Sequence, residues 1–288
     1  MAIYSLDGNQ LTNAYSLNGD LLTHAYDIEG NEILEPVVPD LTVMTYNYQW
    51  CTGINSQLTM QQAIIELYEP DIIGLQEAAS NNRNSNSFPS LAPQFLDDYT
   101  YRYLSTEATN RNGIASKIQP SDLQTVKYTD NDDENWDYQK CYITVAGKQI
   151  AWFNTHLTWR NNEETKARKR LQATEFFEAV EEEEYAIVTG DFNMYDPSFD
   201  GYDYISIGKP FADAGYRLSN WNSTVGFVKT WTSATSASSL ADFTHSCDNI
   251  ITTPNIDLIN VVFDTTKLSY LDGNSIDHVP VIAQLKIN

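Results

Sequence analysis

Tyr185-Ala186-Ile187-Val188-Thr189-Gly190-Asp191-Phe192-Asn193 is an apolar run that stops abruptly in Gly-Asp-x-Asn. In an extended segment, residues two apart share a side, so Asp191 and Asn193 are expected to present a carboxylate and a carboxamide together. Such a pair can hold a divalent cation or its bound water with one group and a phosphate oxygen with the other. Gly-Asp and Asp-x-Asn also build ordinary turns after strands. The stretch therefore gains its meaning from the rest of the chain.

Four other segments carry the same kind of polar tip. Leu41 to Asn47 alternates apolar and polar residues and ends on Asn47. Asp71 to Glu77 is apolar up to Gln76-Glu77, and Ile150 to His156 ends in Asn154-Thr155-His156. Near the end of the chain, Asp277-His278-Val279-Pro280 precedes a last strand, Val281 to Ile287. Each tip alone has an ordinary explanation: an Asn at a turn, a Glu at a helix start, a His inside a core. Five apolar strands with such tips point to a site, because catalytic groups collect on loops at strand ends.

Taken in order, Asn47, Gln76-Glu77, Asn154-Thr155-His156, Gly190-Asp191-Phe192-Asn193 and Asp277-His278-Val279-Pro280 resemble the endonuclease/exonuclease/phosphatase superfamily. That group includes DNase I-like nucleases, abasic-site endonucleases, deadenylases, sphingomyelinases and inositol-polyphosphate 5-phosphatases. The match runs from about Asp40 to the C-terminus. Glu163 to about Glu184 reads as the longest helix, with Leu171, Phe176, Phe177 and Val180 on one face. The Asn-rich stretch Asn81 to Ser87 and the acidic stretch Asp130 to Asp137 read as surface loops. The residue pattern is α/β, with many strands and few helices, compatible with packed sheets flanked by helices. The resemblance sharpens this to a four-layer α/β sandwich of two mixed β-sheets.

The resemblance also implies roles. Glu77 is the main ligand of Mg²⁺ or Mn²⁺, with Asn47, Asp191 and Asp277 as further ligands or water-holders; hard oxygen donors suit those ions. His278 faces the phosphate or the attacking water, and Asp248 is the carboxylate expected to orient it. His156, in Asn-Thr-His, protonates the leaving oxygen or stabilises its charge. Asn193 hydrogen-bonds a phosphate oxygen. Whether Asp191 or His278 is the base stays open. Ser246 stands where family members often carry Arg, which puts an Arg contact to substrate in doubt. His24 and His245 read as incidental.

Composition narrows the function. There are 17 basic and 39 acidic residues, a net charge of −22, so the overall field repels polyanions and counts against tight, processive DNA binding. Arg160, Lys166, Arg168, Lys169 and Arg170 form one local basic cluster, readable as a substrate track or as a helix face answering Glu163, Glu164 and Glu181 to Glu184. Three dispersed cysteines describe neither a disulfide framework nor a zinc site. No secretory signal or membrane-length apolar run is visible. The expected activity is a metal-dependent phosphodiester hydrolase, a DNase I-like endonuclease with nucleic acid as substrate. The alternatives are a sphingomyelinase-like or other small-molecule phosphodiesterase, for which Trp221 and Phe227-Val228 offer an apolar loop, and a non-catalytic protein retaining the fold.

Residues 1–38 repeat with a period of eleven: Tyr4, Tyr15 and Tyr26, then Gly8, Gly19 and Gly30, then Leu11, Leu22 and Ile33 fall in register. Asp-Gly, Asn-Gly and Glu-Gly turns between short strands predict a small β-hairpin repeat. Hairpins must cover one face on something else, so self-association or attachment to a protein partner is expected there, with the catalytic domain spanning 39–288.

Overall fold

A computed structural model describes residues 25–26, 32–34, 37–47, 55–80, 98–105, 110–130, 136–159, 162–195, 198, 200–222, 226–231, 244–264 and 278–288. The chain divides into two units, Met1–Pro39 and Asp40–Asn288. In the first, β1 (Ala25–Tyr26) pairs antiparallel with β2 (Glu32–Leu34); the rest of the eleven-residue repeat lies outside the described residues.

The second unit holds two mixed six-stranded sheets. The first contains β3 (Leu41–Asn47), β4 (Ile72–Ser80), β5 (Tyr101–Leu104), β6 (Asn110–Ser116), β15 (Ile256–Phe263) and β16 (Val281–Ile287), in the order β15-β16-β3-β4-β6-β5. The second contains β7 (Ser121–Lys127), β8 (Asp137–Val145), β9 (Lys148–His156), β10 (Ala186–Asp191), β11 (Arg217–Leu218) and β14 (Asp248–Thr252), in the order β11-β14-β10-β9-β8-β7. A short ribbon of β12 (Trp221–Asn222) and β13 (Gly226–Phe227) stands apart.

Each six-stranded sheet has one parallel pair, β3/β4 and β9/β10. A parallel pair needs a crossover, supplied by helix α1 (Asn55–Tyr68) in the first sheet and α2 (Glu163–Glu181) in the second. Asn162 starts α2 with a capping box: its side chain accepts from the Thr165 N–H, and its own N–H donates to the Thr165 hydroxyl. Glu163 and Glu164 complement the positive end of the helix dipole. The helix ends at Glu181 rather than near Glu184, since a run of carboxylates opposes the dipole at a C-terminus.

Three apolar clusters give the layers. Val43, Ile72, Ile114, Ile143, Trp152, Ile187 and Ile250 pack between the sheets. Met44, Tyr46 and Ile73 pack outward on Ile64 and Ile65 of α1, and Phe153, Val188 and Ala151 on Phe176 and Val180 of α2. The architecture is the four-layer α/β sandwich. Among the described residues, no helix is long and apolar enough to cross a membrane.

Between the sheets the core turns polar toward one end. The buried Asn154 side chain donates to the carbonyls of Leu75 (3.0 Å) and Gly113 (2.9 Å) on the opposite sheet. Its Oδ1 accepts from Gln76 Nε2 (2.7 Å) and the Thr189 hydroxyl (3.0 Å). Such buried groups hold a sandwich in one register only when fully paired. Gly74 makes the approach possible: a Cβ there would lie 2.0 Å from Thr189 Oγ1 and 2.6 Å from Asn154 Oδ1. Gly74→Ala should therefore destabilise the protein by at least about 1–3 kcal/mol, the cost of overpacking, read as a lower denaturant midpoint. An unchanged midpoint would show that the sheets slide apart at no cost.

Several sequence expectations need correction. Asp137, read as part of a surface loop from Asp130, opens β8 and is fully buried, held by Ser105 and Asn112. Leu171, expected on the apolar face of α2, is half exposed, because the buried positions Thr165, Lys169, Gln172, Ala173, Phe176 and Val180 set a different helical phase. Trp221 and Phe227, expected in an apolar loop, are partly buried: their rings meet at 4.8 Å, and Phe227 also packs on Tyr204, while residues 223–225 between them lie outside the described residues. The Asn-rich stretch Asn81 to Ser87 lies outside the described residues.

Candidate active site

Strand register assembles the site. Asp191 pairs with His156 on one side and with Asp248 on the other, so three strands of the second sheet present one row of polar groups. Asn47, at the end of β3 in the first sheet, pairs with Gln76. The polar layer beneath, built on Asn154, fixes the separation of the two rows.

Asp191 Oδ2 is the hub. It accepts from Asn47 Nδ2 at 2.9 Å and lies 3.6 Å from both His156 Nε2 and His278 Nε2. The other oxygen accepts the Asn193 N–H at 2.8 Å. Burial acts to raise this carboxyl, but the two imidazoles, Asn47 and the Asn193 N–H outweigh it and hold it below its ordinary range.

Both imidazoles present Nε2 to Asp191, but they are held differently. His278 Nδ1 lies 2.8 Å from Asp248 Oδ2, which fixes the Nδ1–H tautomer in the neutral ring and turns an Nε2 lone pair toward Asp191. Burial raises the Asp248 carboxyl to about 6 against the opposing pull of His278. His156 is buried edge-on to Trp136, ring centroids 4.9 Å apart, with no partner for Nδ1 among the described residues. Burial lowers its pKa to about 4, so at neutral pH the ring is uncharged. Its Nε2 faces the Asp191 carboxylate, which favours the proton on that nitrogen.

Glu77 is half buried and sits not at a strand end but inside β4, at a break in register between Leu75 and Ala79. Its φ is +49°. A bulge re-aims one side chain out of the pleat, and here it turns Glu77 toward Asn47, whose Nδ2 is 3.4 Å from Oε1. Asn47 thus joins the carboxylates of Glu77 and Asp191. Asn193 also has a positive φ, +48°. Left-handed backbone at non-glycine residues costs roughly 1 kcal/mol or more and gathers at functional sites. The turn at Asn193 breaks the expected shared side with Asp191: its Nδ2 donates to the Leu157 carbonyl at 2.8 Å.

The described residues of the expected set, Asn47, Glu77, His156, Asp191, Asn193, Asp248 and His278, converge at this end of the sandwich; Asp277 and His24 lie outside the described residues. Asp191, Asp248 and His278 also offer possible ligand atoms within 4.8 Å of one another. Sequence reading missed the supports. Thr230 Oγ1 accepts the Asp248 N–H at 2.9 Å. Trp231 bridges by backbone to both His245 and His278, and its ring stacks on His245 at 4.8 Å. His245 is therefore packed against Trp231, which also bridges to His278. No local signal marks Thr230, which is 18 residues from Asp248. The buried Ser246 donates to the Val228 carbonyl.

The basic cluster is answered by acids. Lys166 pairs with Glu163, Arg168 with Glu164 and Asp130, and Lys169 with Asp203; Arg160 lies outside the described residues. A balanced helix face describes Lys166 and Arg168; Lys169 is instead buried against Asp203, and Arg170 is exposed.

A family model described as the endonuclease/exonuclease/phosphatase family matches residues 45–268. No curated protein matches the chain by sequence. Among solved structures, the chain is similar to the endonuclease/exonuclease/phosphatase from Beutenbergia cavernae, with 16% identity and a TM-score of 0.69 over 87% of this chain and 72% of that one. It is similar to TDP2 of D. rerio complexed with single strand DNA product, with 14% identity and a TM-score of 0.67 over 85% and 98%. An AP endonuclease from Archaeoglobus fulgidus gives 18% identity and a TM-score of 0.65 over 86% and 100%. At such identities the likeness to these structures is one of fold.

Proposed function

Because the chain belongs to the endonuclease/exonuclease/phosphatase family, we propose that it is a divalent-metal-dependent phosphodiester hydrolase, acting as a DNase I-like endonuclease. The observation that carries this reading is the Asp191 carboxylate set between two imidazoles that both present Nε2 at 3.6 Å from one oxygen, one of them held at Nδ1 by Asp248.

In this reading His278, held by Asp248, accepts the proton of the attacking water. Asp191 positions that water; its lowered pKa makes it a poor proton acceptor. His156, uncharged and with Nε2–H inward, donates a hydrogen bond to the leaving oxygen and stabilises its developing charge. This favours the second of the two roles expected for it. Asn193 retains a second amide hydrogen for a phosphate oxygen.

The donor set fits a hard cation. Glu77 and Asp191 supply carboxylates at one edge of the site, and the backbone is distorted to turn Glu77 there. Asn47, whose Nδ2 faces both, would join as a ligand through Oδ1 after rotation of its amide. Asp277 remains a further proposed ligand. When bound, Mg²⁺ or Mn²⁺ supplies Lewis-acid neutralisation of phosphate charge. Hydrolysis should need either ion and disappear with EDTA, and Glu77→Ala should abolish metal stimulation while the chain stays folded. Full turnover in chelator would remove this mechanism.

Charge distribution favours a second reading in which the substrate is a small soluble phosphodiester. With Lys166, Arg168 and Lys169 paired to acids and a net charge of −22, little on α2 tracks a polyanion. Supercoiled plasmid, sphingomyelin vesicles and bis-p-nitrophenyl phosphate, each with Mg²⁺, separate the substrate classes. Nicking of plasmid supports the endonuclease; turnover of the small ester without nicking supports the second reading.

A further inference from the structure

We infer that Lys169 and Asp203, two residues outside the proposed catalytic set, are positioning residues that clamp the Gly190–Tyr195 segment in its working shape. The inference rests on the phosphodiesterase reading for its effect on turnover. The geometry of the clamp stands without it.

Lys169 is fully buried, an unusual place for an ammonium group. Its Nζ donates to the Asn193 carbonyl at 2.8 Å and pairs with Asp203 Oδ1 at 3.3 Å. Asp203 Oδ2 in turn accepts the Tyr195 N–H at 2.9 Å. One ion pair therefore grips a carbonyl with its cation and an N–H with its anion, two residues apart in the same loop. Tyr195 also places its ring 5.1 Å from Nζ.

The gripped segment is the one that needs holding. Asn193 sits at φ +48°, a conformation that asparagine leaves easily unless its surroundings fix it. Its N–H is the group that holds Asp191 Oδ1, and the other Asp191 oxygen faces both imidazoles. A rotation at Asn193 would thus be passed directly to the hub. The position of Lys169 on α2 supports the same view. Below it, Ala173, Phe176 and Val180 bury an apolar stripe. At the height of the site the stripe becomes polar, with Gln172 accepting the Thr158 N–H at 3.1 Å beside the end of β9. Asp203 directly precedes a turn of π-helix, Tyr204–Gly208, a local widening often associated with functional sites. A buried ion pair is a poor source of stability, because desolvation offsets the Coulomb gain. Its geometric specificity is the better account of its presence here.

The test uses the full chain with Lys169→Met, Lys169→Arg and Asp203→Asn, assayed on bis-p-nitrophenyl phosphate with Mg²⁺ and followed by amide hydrogen exchange. Lys169→Met should lower kcat about 10- to 100-fold, the effect of a misplacement near 1 Å, with KM changed far less. Lys169→Arg should recover much of the loss, and exchange at the Tyr195 amide should quicken in Lys169→Met and Asp203→Asn. If Lys169→Met fails to fold, Asp203→Asn carries the same two readouts. Wild-type kcat together with wild-type Tyr195 exchange in a folded variant overturns the inference. Absence of phosphodiesterase activity in the unaltered protein would instead refute the functional reading, and the Tyr195 exchange would still decide whether the clamp exists.

Discussion

Asp191→Asn should reduce turnover by about 10³- to 10⁴-fold, the range seen when a group holding both the reacting atoms and the proton carriers loses its charge. The substituted amide keeps an oxygen for the Asn193 N–H, so the 2.8 Å contact can persist. What disappears is the negative charge 3.6 Å from each imidazole. Because the surrounding donors and imidazoles hold the Asp191 carboxyl below its ordinary range, folding favours its charged form, and removing that charge should also lower thermal stability near neutral pH. Steady-state hydrolysis of a small phosphodiester and a thermal melt on the same sample make the check. Turnover within tenfold of wild type would remove Asp191 from the centre of the site.

His278→Ala and Asp248→Asn come next, each expected to lower turnover by about 10²- to 10⁴-fold. The pair has a second signature in pH. Burial raises the Asp248 carboxyl from 3.8 to about 6, so folding favours its protonated form. That contribution is fully present below the unfolded value and is lost as pH rises through about 6. Asparagine copies the neutral form at all pH values. Asp248→Asn should therefore be more stable than wild type at pH 7.5, by on the order of 1–3 kcal/mol, and equal to it near pH 3. Urea melts at the two pH values measure this. A variant that is inactive and less stable at neutral pH would mean that Asp248 is structural support and not a poised carboxylate.

The fold was legible because hydrophobic patterning is local. The strands Leu41 to Asn47, Ile150 to His156, Tyr185 to Asp191 and Val281 to Ile287 announce themselves by apolar runs closed by polar tips, and the observed β3, β9, β10 and β16 follow them within a residue or two. The residues proposed for the site stood out for a related reason. A carboxylate, amide or imidazole at the tip of an apolar strand has few purely structural uses.

What sequence left undecided depends on contacts across the sandwich. Whether Asp191 and Asn193 share a side is set by a positive φ and by the Leu157 carbonyl, 36 residues away. The aim of Glu77 depends on a bulge in β4 against β6. Gln76 looked like half of a functional pair, yet the Asn154 layer takes it into the core. Lys169 read as one more surface cation until the phase of α2 turned it inward onto Asp203. The sequence by itself determined most of the chemical groups that stand at strand ends, Glu77 inside β4 being the exception, because alternation and strand length are properties of neighbouring residues. Tertiary structure alone decided which groups meet. Hydrogen bonds form at about 3 Å, and two partners at that distance in the site, Asn47 and Asp191, are separated by 144 positions along the chain.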